Sequence, residues 1–290
     1  MAQAASAQTL SLTPMANKLV NYGVTPNGIA VIELASDAAG APLAPGKSGP
    51  NTYTHLMMRD IDEAVLKARF DDGVHVIVLT GNGDKFFSAG ASIQMLNNVT
   101  PGFKYYFCLH ANETLSRLEQ TPKLVIAALN GHAVGGGLEI AMAADLRVAR
   151  KDSGKVGLPE VTLGVLPGTG GTQRLVRIVG KSKAIEMMTT GRLFSFEEAL
   201  GNNIIDQIIE GDAKTFMSKV YDYAKTFVPP NKASKAVGLI KRCVQSGSEV
   251  SFEYGLAMER EFQAQLFSSS DAKEGLSAYV EKRKPNFSGS

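Results

Sequence analysis

Two carboxylates stand alone in otherwise uncharged stretches of this sequence. Glu139 is the only charged residue between Lys123 and Asp145, and Glu160 the only one between Lys155 and Arg174. Such apolar neighbours predict burial, which penalises the ionised carboxylate and lifts its pKa toward neutrality. A carboxyl tuned in this way can give or take a proton near neutral pH, as a general acid or base must. The residues alone equally allow each Glu to pair with an arginine or to cap a turn, and their sequence positions do not bring them together.

Glycines surround the first of them. Gly135-Gly136-Gly137 precede Leu138-Glu139, where a strand and turn run into a helix. Glycine there admits close approach to the backbone, and the first helical turn leaves N–H groups without intrahelical partners. Donors of that kind suit a developing oxyanion, although the same glycines would also serve close helix packing. The small-residue segment Phe87 to Ser92, after a buried strand, offers a second candidate donor. Other site patterns fail. Gly180-Lys181-Ser182 resembles the end of a phosphate loop, but the required first glycine falls at Leu175. There is no GxSxG nucleophile elbow, and no GxGxxG near the first strand. Cys108 and Cys243 lack partners at metal-ligand spacing and the four histidines form no HExxH, so no metal site is expected.

The elements that must position these residues alternate. Lys18 to Val24 and Ile29 to Leu34 read as strands joined by a turn at Pro26-Asn27-Gly28, and Ala35 to Pro50 as a loop. A helical period over Tyr53 to Phe70 leads into Val74 to Leu79, an apolar, β-branched run that reads as a strand buried on both faces. Helices are expected at Gly102 to Glu119, Gly135 to Ala144, Gly170 to Val179 and Ser182 to Thr190, with strands at Leu124 to Leu129, Leu146 to Ala149 and Ile204 to Ile209. This order predicts an α/β fold with mainly parallel pairing. After Gly211 the strand signals stop and four helical stretches follow. The expected organisation is a flexible tail over 1–14, an α/β core with the active site over 15–211, and a helical region over 212–290.

With 290 residues, 44% hydrophobic and 20% charged, the chain can bury a large core and is not broadly disordered. A net charge of +2 gives no reason to expect nucleic acid or an anionic membrane as partner. The apolar run Leu124 to Ala144 contains four glycines and an Asn130-Gly131 turn signal, which argues against a membrane span. Met1 to Pro14 carries no Lys or Arg, unlike a secretory or mitochondrial leader. Together with cysteines expected to be free thiols, this points to the cytoplasm.

Four separated stretches, in order, resemble the crotonase superfamily and within it the enoyl-CoA hydratases. They are Phe86 to Ile93 (FFSAGASI), Asn130 to Ala141 (NGHAVGGGLEIA), Gly157 to Leu175 (GLPEVTLGVLPGTGGTQRL) and Glu274 to Phe287 (EGLSAYVEKRKPNF). The resemblance implies a spiral of repeated strand-strand-helix turns with a helical C-terminal trimerisation region, assembled as a trimer or a dimer of trimers. It implies an acyl-CoA thioester substrate, with coenzyme A part of that substrate and no separate cofactor. The thioester carbonyl would lie between the N–H groups of Ala91 and Gly136, with Glu139 and Glu160 flanking the double bond. Glu139 would orient and deprotonate the attacking water, and Glu160 would deliver a proton to the α-carbon. Ala89, Ser92, Ile93, Gln94, Gly135 and Gly168 match substrate-binding positions, while Tyr279 and Lys282 match residues that reach the CoA nucleotide, often from a neighbouring subunit.

Two departures stand out. Ser92 occupies a position where relatives often carry Asp, and it can cap the short helix that follows. The loop from Ala35 to Pro50 is longer than usual and precedes a wall of the acyl pocket, which leaves chain-length preference open. An enoyl-CoA isomerase is the nearest alternative, but it typically needs only one of the two carboxylates. An RNA-binding relative would want clustered Lys and Arg, whereas Lys181-Ser182-Lys183 and Glu281 to Lys284 are interrupted or balanced by acids. A Clp-type peptidase would need a Ser-His-Asp framework, which has no counterpart in matching places.

Overall fold

A computed structural model describes residues 10–290. Of the tail expected over 1–14, residues 1–9 lie outside the described residues, while Thr13–Pro14 (β1) pairs antiparallel with Val20–Val24 (β2). β2 pairs antiparallel with Ile29–Leu34 (β3) across the turn at Thr25 to Gly28, where Gly28 N donates to Thr25 O at 3.0 Å. The chain continues through His55–Phe70 (α1), Val76–Gly81 (β4), Phe86–Ser88 (β5), Ile93–Leu96 (α2) and Pro101–Gln120 (α3). Leu124–Leu129 (β6), His132–Val134 (β7), Gly136–Met142 (α4), Leu146–Arg150 (β8) and Lys155–Gly157 (β9) follow. A 3₁₀ turn at Glu160–Leu163 precedes Gly171–Val179 (α5), Lys181–Thr190 (α6), Phe194–Ser195 (β10), Phe196–Gly201 (α7) and Gln207–Ile209 (β11). Four helices end the chain: Ala213–Lys225 (α8), Ser234–Gly247 (α9), Phe252–Phe267 (α10) and Ser270–Val280 (α11).

The strands form two sheets. The larger has seven strands in the order β1-β2-β3-β4-β6-β8-β11, parallel from β3 onward. Alternation along its strands divides the core. Ile77, Leu79, Val125 and Ala127 pack toward α1, α3 and α4, whereas Val76, Val78, Leu124 and Ile126 pack toward Phe216 and Val220 of α8. That two-sided burial is why the central strands read as unbroken apolar runs.

The smaller sheet, β10-β9-β7-β5, was not expected from the sequence, which reads Phe87 to Ser92 as loop and extends the α4 helix over Gly135 to Ala144. Strands of two or three residues are too short to reveal a period of two. Three successive turns, from β4, β6 and β8, send a strand into the large sheet, a short strand into the small one, and then a helical segment, the strand-strand-helix repeat that the resemblance implies. Asn130 makes the corner between β6 and β7. Its Nδ2 donates to the carbonyls of Gly81, Gly83 and Phe86, while its Oδ1 accepts from Gly81 N at 3.1 Å.

A buried ion pair fastens α9 to the core. Lys241 Nζ lies 2.9 Å from Asp145 Oδ2 and donates to the carbonyls of Leu118 and Lys123, both at 3.0 Å. Lys241→Met would leave Asp145 buried without its cation, and the expected loss of unfolding free energy is about 3–5 kcal/mol. Urea denaturation measures it; a loss below about 1 kcal/mol, the worth of an exposed pair, would assign the contact no structural weight.

Candidate active site

β5, β7 and β9 lie side by side and run parallel, and the site assembles just beyond their carboxyl ends. Ala91 follows β5, Gly136 and Glu139 follow β7, and Glu160 follows β9. Gly135 N donates to Gly157 O at 2.8 Å, which ties the start of α4 to the end of β9.

Each glycine of the triplet meets a different neighbour. Gly135 has φ +57° and ψ −132°, a backbone region that only glycine adopts readily, and a Cβ there would lie 2.9 Å from Glu160 Oε1. A Cβ on Gly136 would overlap the Tyr53 phenol, and one on Gly137 would overlap the Ser88 carbonyl. Close packing and site geometry are therefore the same requirement here.

Glu139 is buried at 2% exposure, and its Oε1 accepts from the backbone N–H groups of Thr169 and Gly171, each at 2.7 Å. Burial pushes its carboxyl up, while those two N–H donors and the Arg174 guanidinium pull back toward the ionised form. Arg174 is held by Glu119 through two bonds of 2.7 Å and also donates to Thr169 O at 3.1 Å, steadying the loop that carries the donors.

Glu160 has a different environment. Its Oε2 is buried and has no hydrogen-bond partner among the described residues. Burial first, and then repulsion from Glu139, push its carboxyl up to about 7, with its own backbone N–H and then Lys104 acting in the opposite direction. Glu160 Oε1 lies against Gly135 at the head of the helix that carries Glu139, so the fold brings near each other residues whose sequence positions left them separate. Both carboxyls are pushed up, in unlike surroundings.

Ala91 and Gly136 are also brought together. A Cβ on Gly90 would lie 3.1 Å from Gly136 N, and among the described residues neither the Ala91 nor the Gly136 N–H donates to another backbone carbonyl. Tyr53 and Ala91 form an isolated parallel bridge in which Tyr53 N donates to Gly90 O and Ser92 N donates to Tyr53 O, both at 2.9 Å. This bridge leaves the Ala91 N–H to face the other way.

The remaining candidates differ in placement. Ala89 N donates to Pro50 O at 2.8 Å, so its peptide is committed to the fold. Ser92 is buried, and its Oγ caps α2 by accepting from Met95 N at 3.2 Å while donating to Ala39 O at 2.9 Å. That contact anchors the long 35–50 loop beside the site. Ile93 and Gln94 are exposed on α2, and Gly168 lies in the loop before α5, where a Cβ would sit 3.0 Å from Cys108 Sγ. Tyr279, 86% exposed on α11, and exposed Lys282 just beyond it make no hydrogen bond to the carboxylates or the 89–94 segment. A single chain does not unite them with the site.

Sequence reasoning missed Tyr53, Thr169, Gly171 and Arg174. The small-residue run Pro167 to Gly171 was a usable signal for a loop that presents backbone N–H groups, but nothing local marked Tyr53 or Arg174. Among the described residues, no group of three or more His, Cys, Asp or Glu is placed to share a metal ion, and no helix is long and apolar enough to cross a membrane.

The family profile described as "Enoyl-CoA hydratase/isomerase" matches residues 47–290. A short-chain-enoyl-CoA hydratase of Clostridium acetobutylicum is 36% identical over 234 residues, covering 81% of this chain and 88% of its own. A crotonyl-CoA hydratase of Syntrophomonas wolfei is 34% identical over 237 residues, covering 82% and 89%. The solved structure of "Enoyl-CoA hydrates" from Geobacillus kaustophilus superposes with a TM-score of 0.88 at 38% identity, over 97% of this chain and all of that one.

Proposed function

Since the chain belongs to the enoyl-CoA hydratase/isomerase family, we propose that it is an enoyl-CoA hydratase, a lyase that adds water reversibly across the 2,3 double bond of a trans-2-enoyl-CoA. The observation that carries this reading is the unlike pair of carboxyls, one buried and one half-buried. Glu139 has one oxygen fixed by two N–H donors, which favours the anion, whereas Glu160 has a bare buried oxygen and a pKa of about 7.

In this reading Glu139 takes a proton from water as the water oxygen bonds to the β-carbon. The π electrons move to give an enolate whose charge rests on the thioester oxygen. The Ala91 and Gly136 N–H groups receive that oxyanion, each donor contributing about 3 kcal/mol to the transition state. Glu160 then protonates the α-carbon, giving 3-hydroxyacyl-CoA. The chemistry needs no cofactor beyond the CoA of the substrate. Assembly as a trimer or dimer of trimers would bring Tyr279 and Lys282 to a neighbour's CoA. A reducing, cytoplasmic setting fits two free thiols, and fatty-acid β-oxidation fits the substrate class. The 15–211 segment would then be the catalytic core and the 212–290 segment the part that assembles it.

Mixing the protein with crotonyl-CoA is expected to bleach the enoyl thioester absorbance. No bleaching, together with conversion of a 3-enoyl-CoA to its 2-enoyl isomer, would replace the hydratase reading with an isomerase.

A further inference from the structure

Tyr53 is almost fully buried, at 2% exposure, and lies against the segments of both Ala91 and Gly136 and against the loop that holds Glu139. Its peptide lies against Ala91 through the two 2.9 Å bonds that flank that residue. Its phenol covers Gly136 so closely that no side chain fits there. Its Oη is 2.9 Å from Thr169 Oγ1, and Thr169 N holds Glu139 Oε1. On its far side the ring stacks on Phe107 of α3, with centroids 5.6 Å apart and planes at 27°.

We infer that Tyr53 is a positioning residue for hydration: its peptide and ring fix the two oxyanion donors, and its hydroxyl, through Thr169, fixes the carboxylate of Glu139. The inference rests on the hydratase reading. The Tyr53 hydroxyl holds the Thr169 side chain in place, and that side chain draws the Glu139 carboxyl toward its ionised form. The loop that supplies the Thr169 N–H is also held from this side, while Arg174 holds it from the other. A phenol suits the place because burial and the Glu139 charge raise its pKa well above the ordinary value, so it stays a proton donor. The charged and titratable groups facing Glu139 are Arg174 of α5, Glu160 of the 3₁₀ turn and Tyr53; Cys108 of α3 faces Tyr53.

The test is Tyr53→Phe, which removes one oxygen and keeps the ring over Gly136, assayed for crotonyl-CoA hydration beside Thr169→Val and the double variant. The expected kcat is about tenfold lower with KM within about twofold of wild type. The Thr169 residue that draws the Glu139 pKa down loses its support, so that pKa rises; because Glu139 must be ionised to take the water proton, the acidic limb of kcat shifts to higher pH. The double variant should be no slower than Thr169→Val alone, since both changes break one connection. A wild-type kcat and pH profile in Tyr53→Phe, an unmoved acidic limb, or additive losses in the double variant would overturn the inference. Thr169→Val supplies the same test from the other end if Tyr53→Phe folds poorly. Absence of hydration by the wild-type protein itself would instead overturn the hydratase reading.

Discussion

Glu139→Gln is expected to fold and bind substrate normally while turning over roughly 10²- to 10⁴-fold more slowly. The amide oxygen of Gln can accept the same two 2.7 Å bonds from Thr169 N and Gly171 N, so the loop before α5 keeps its anchor. What the amide lacks is basicity. It cannot take the proton of the attacking water, and its NH2 points a donor where the water needs an acceptor. Replacing a buried carboxyl by a neutral isostere also removes the cost of burying its ionised form, so thermal stability should not fall. Single-turnover kinetics with crotonyl-CoA separate the chemical step from binding; a rate within about threefold of wild type would remove Glu139 from the reaction.

Glu160→Gln carries a comparable expected loss, roughly 10²- to 10⁴-fold in kcat, and a distinct pH signature. A carboxyl with its pKa lifted to about 7 is half protonated near neutrality. Hydration needs it protonated, so kcat/KM in that direction falls as pH rises through about 7. Dehydration of the 3-hydroxyacyl thioester needs it ionised, so the reverse rate falls as pH drops through the same value. Gln removes both limbs, because nothing is left to titrate at that oxygen. Measuring both directions against pH in wild type and variant checks the assignment, and a limb near 7 that survives in Glu160→Gln would transfer it to another group. In the proposed mechanism the two positions are not interchangeable. Oε1 of Glu139 is stabilised as an anion by two N–H groups, whereas Oε2 of Glu160 has no such partner.

The large sheet was legible because its strands are long and buried on both faces. Val76–Gly81 and Leu124–Leu129 announce themselves as apolar runs, and α1 and α3 show helical periodicity. The carboxylates were legible because charge is conspicuous in such runs. Ser92 capping α2 was also readable, since a serine just before a helix is a favoured cap; its second bond, to Ala39 O, was not. The supporting residues were not. Tyr53 reaches the site only because its bridge to Ala91 links the end of the 35–50 loop to the segment after β5, and Arg174 only because Glu119 of α3 meets α5.

By itself, then, the sequence determined which groups are scarce enough to do chemistry and which segments must be buried, because burial and charge are local properties of composition and period. Whether Glu139 and Glu160 meet was decided by the small sheet. That sheet pairs Phe86 with His132 and Ala133 with Val156, in strands of three residues whose pairing is set by partners far away in the chain. No local pattern encodes such contacts. The unlike surroundings of the two carboxylates, on which the proposed division of labour rests, also come from tertiary structure, because which oxygen finds two N–H donors and which is buried bare depends on loops that only the folded chain brings together.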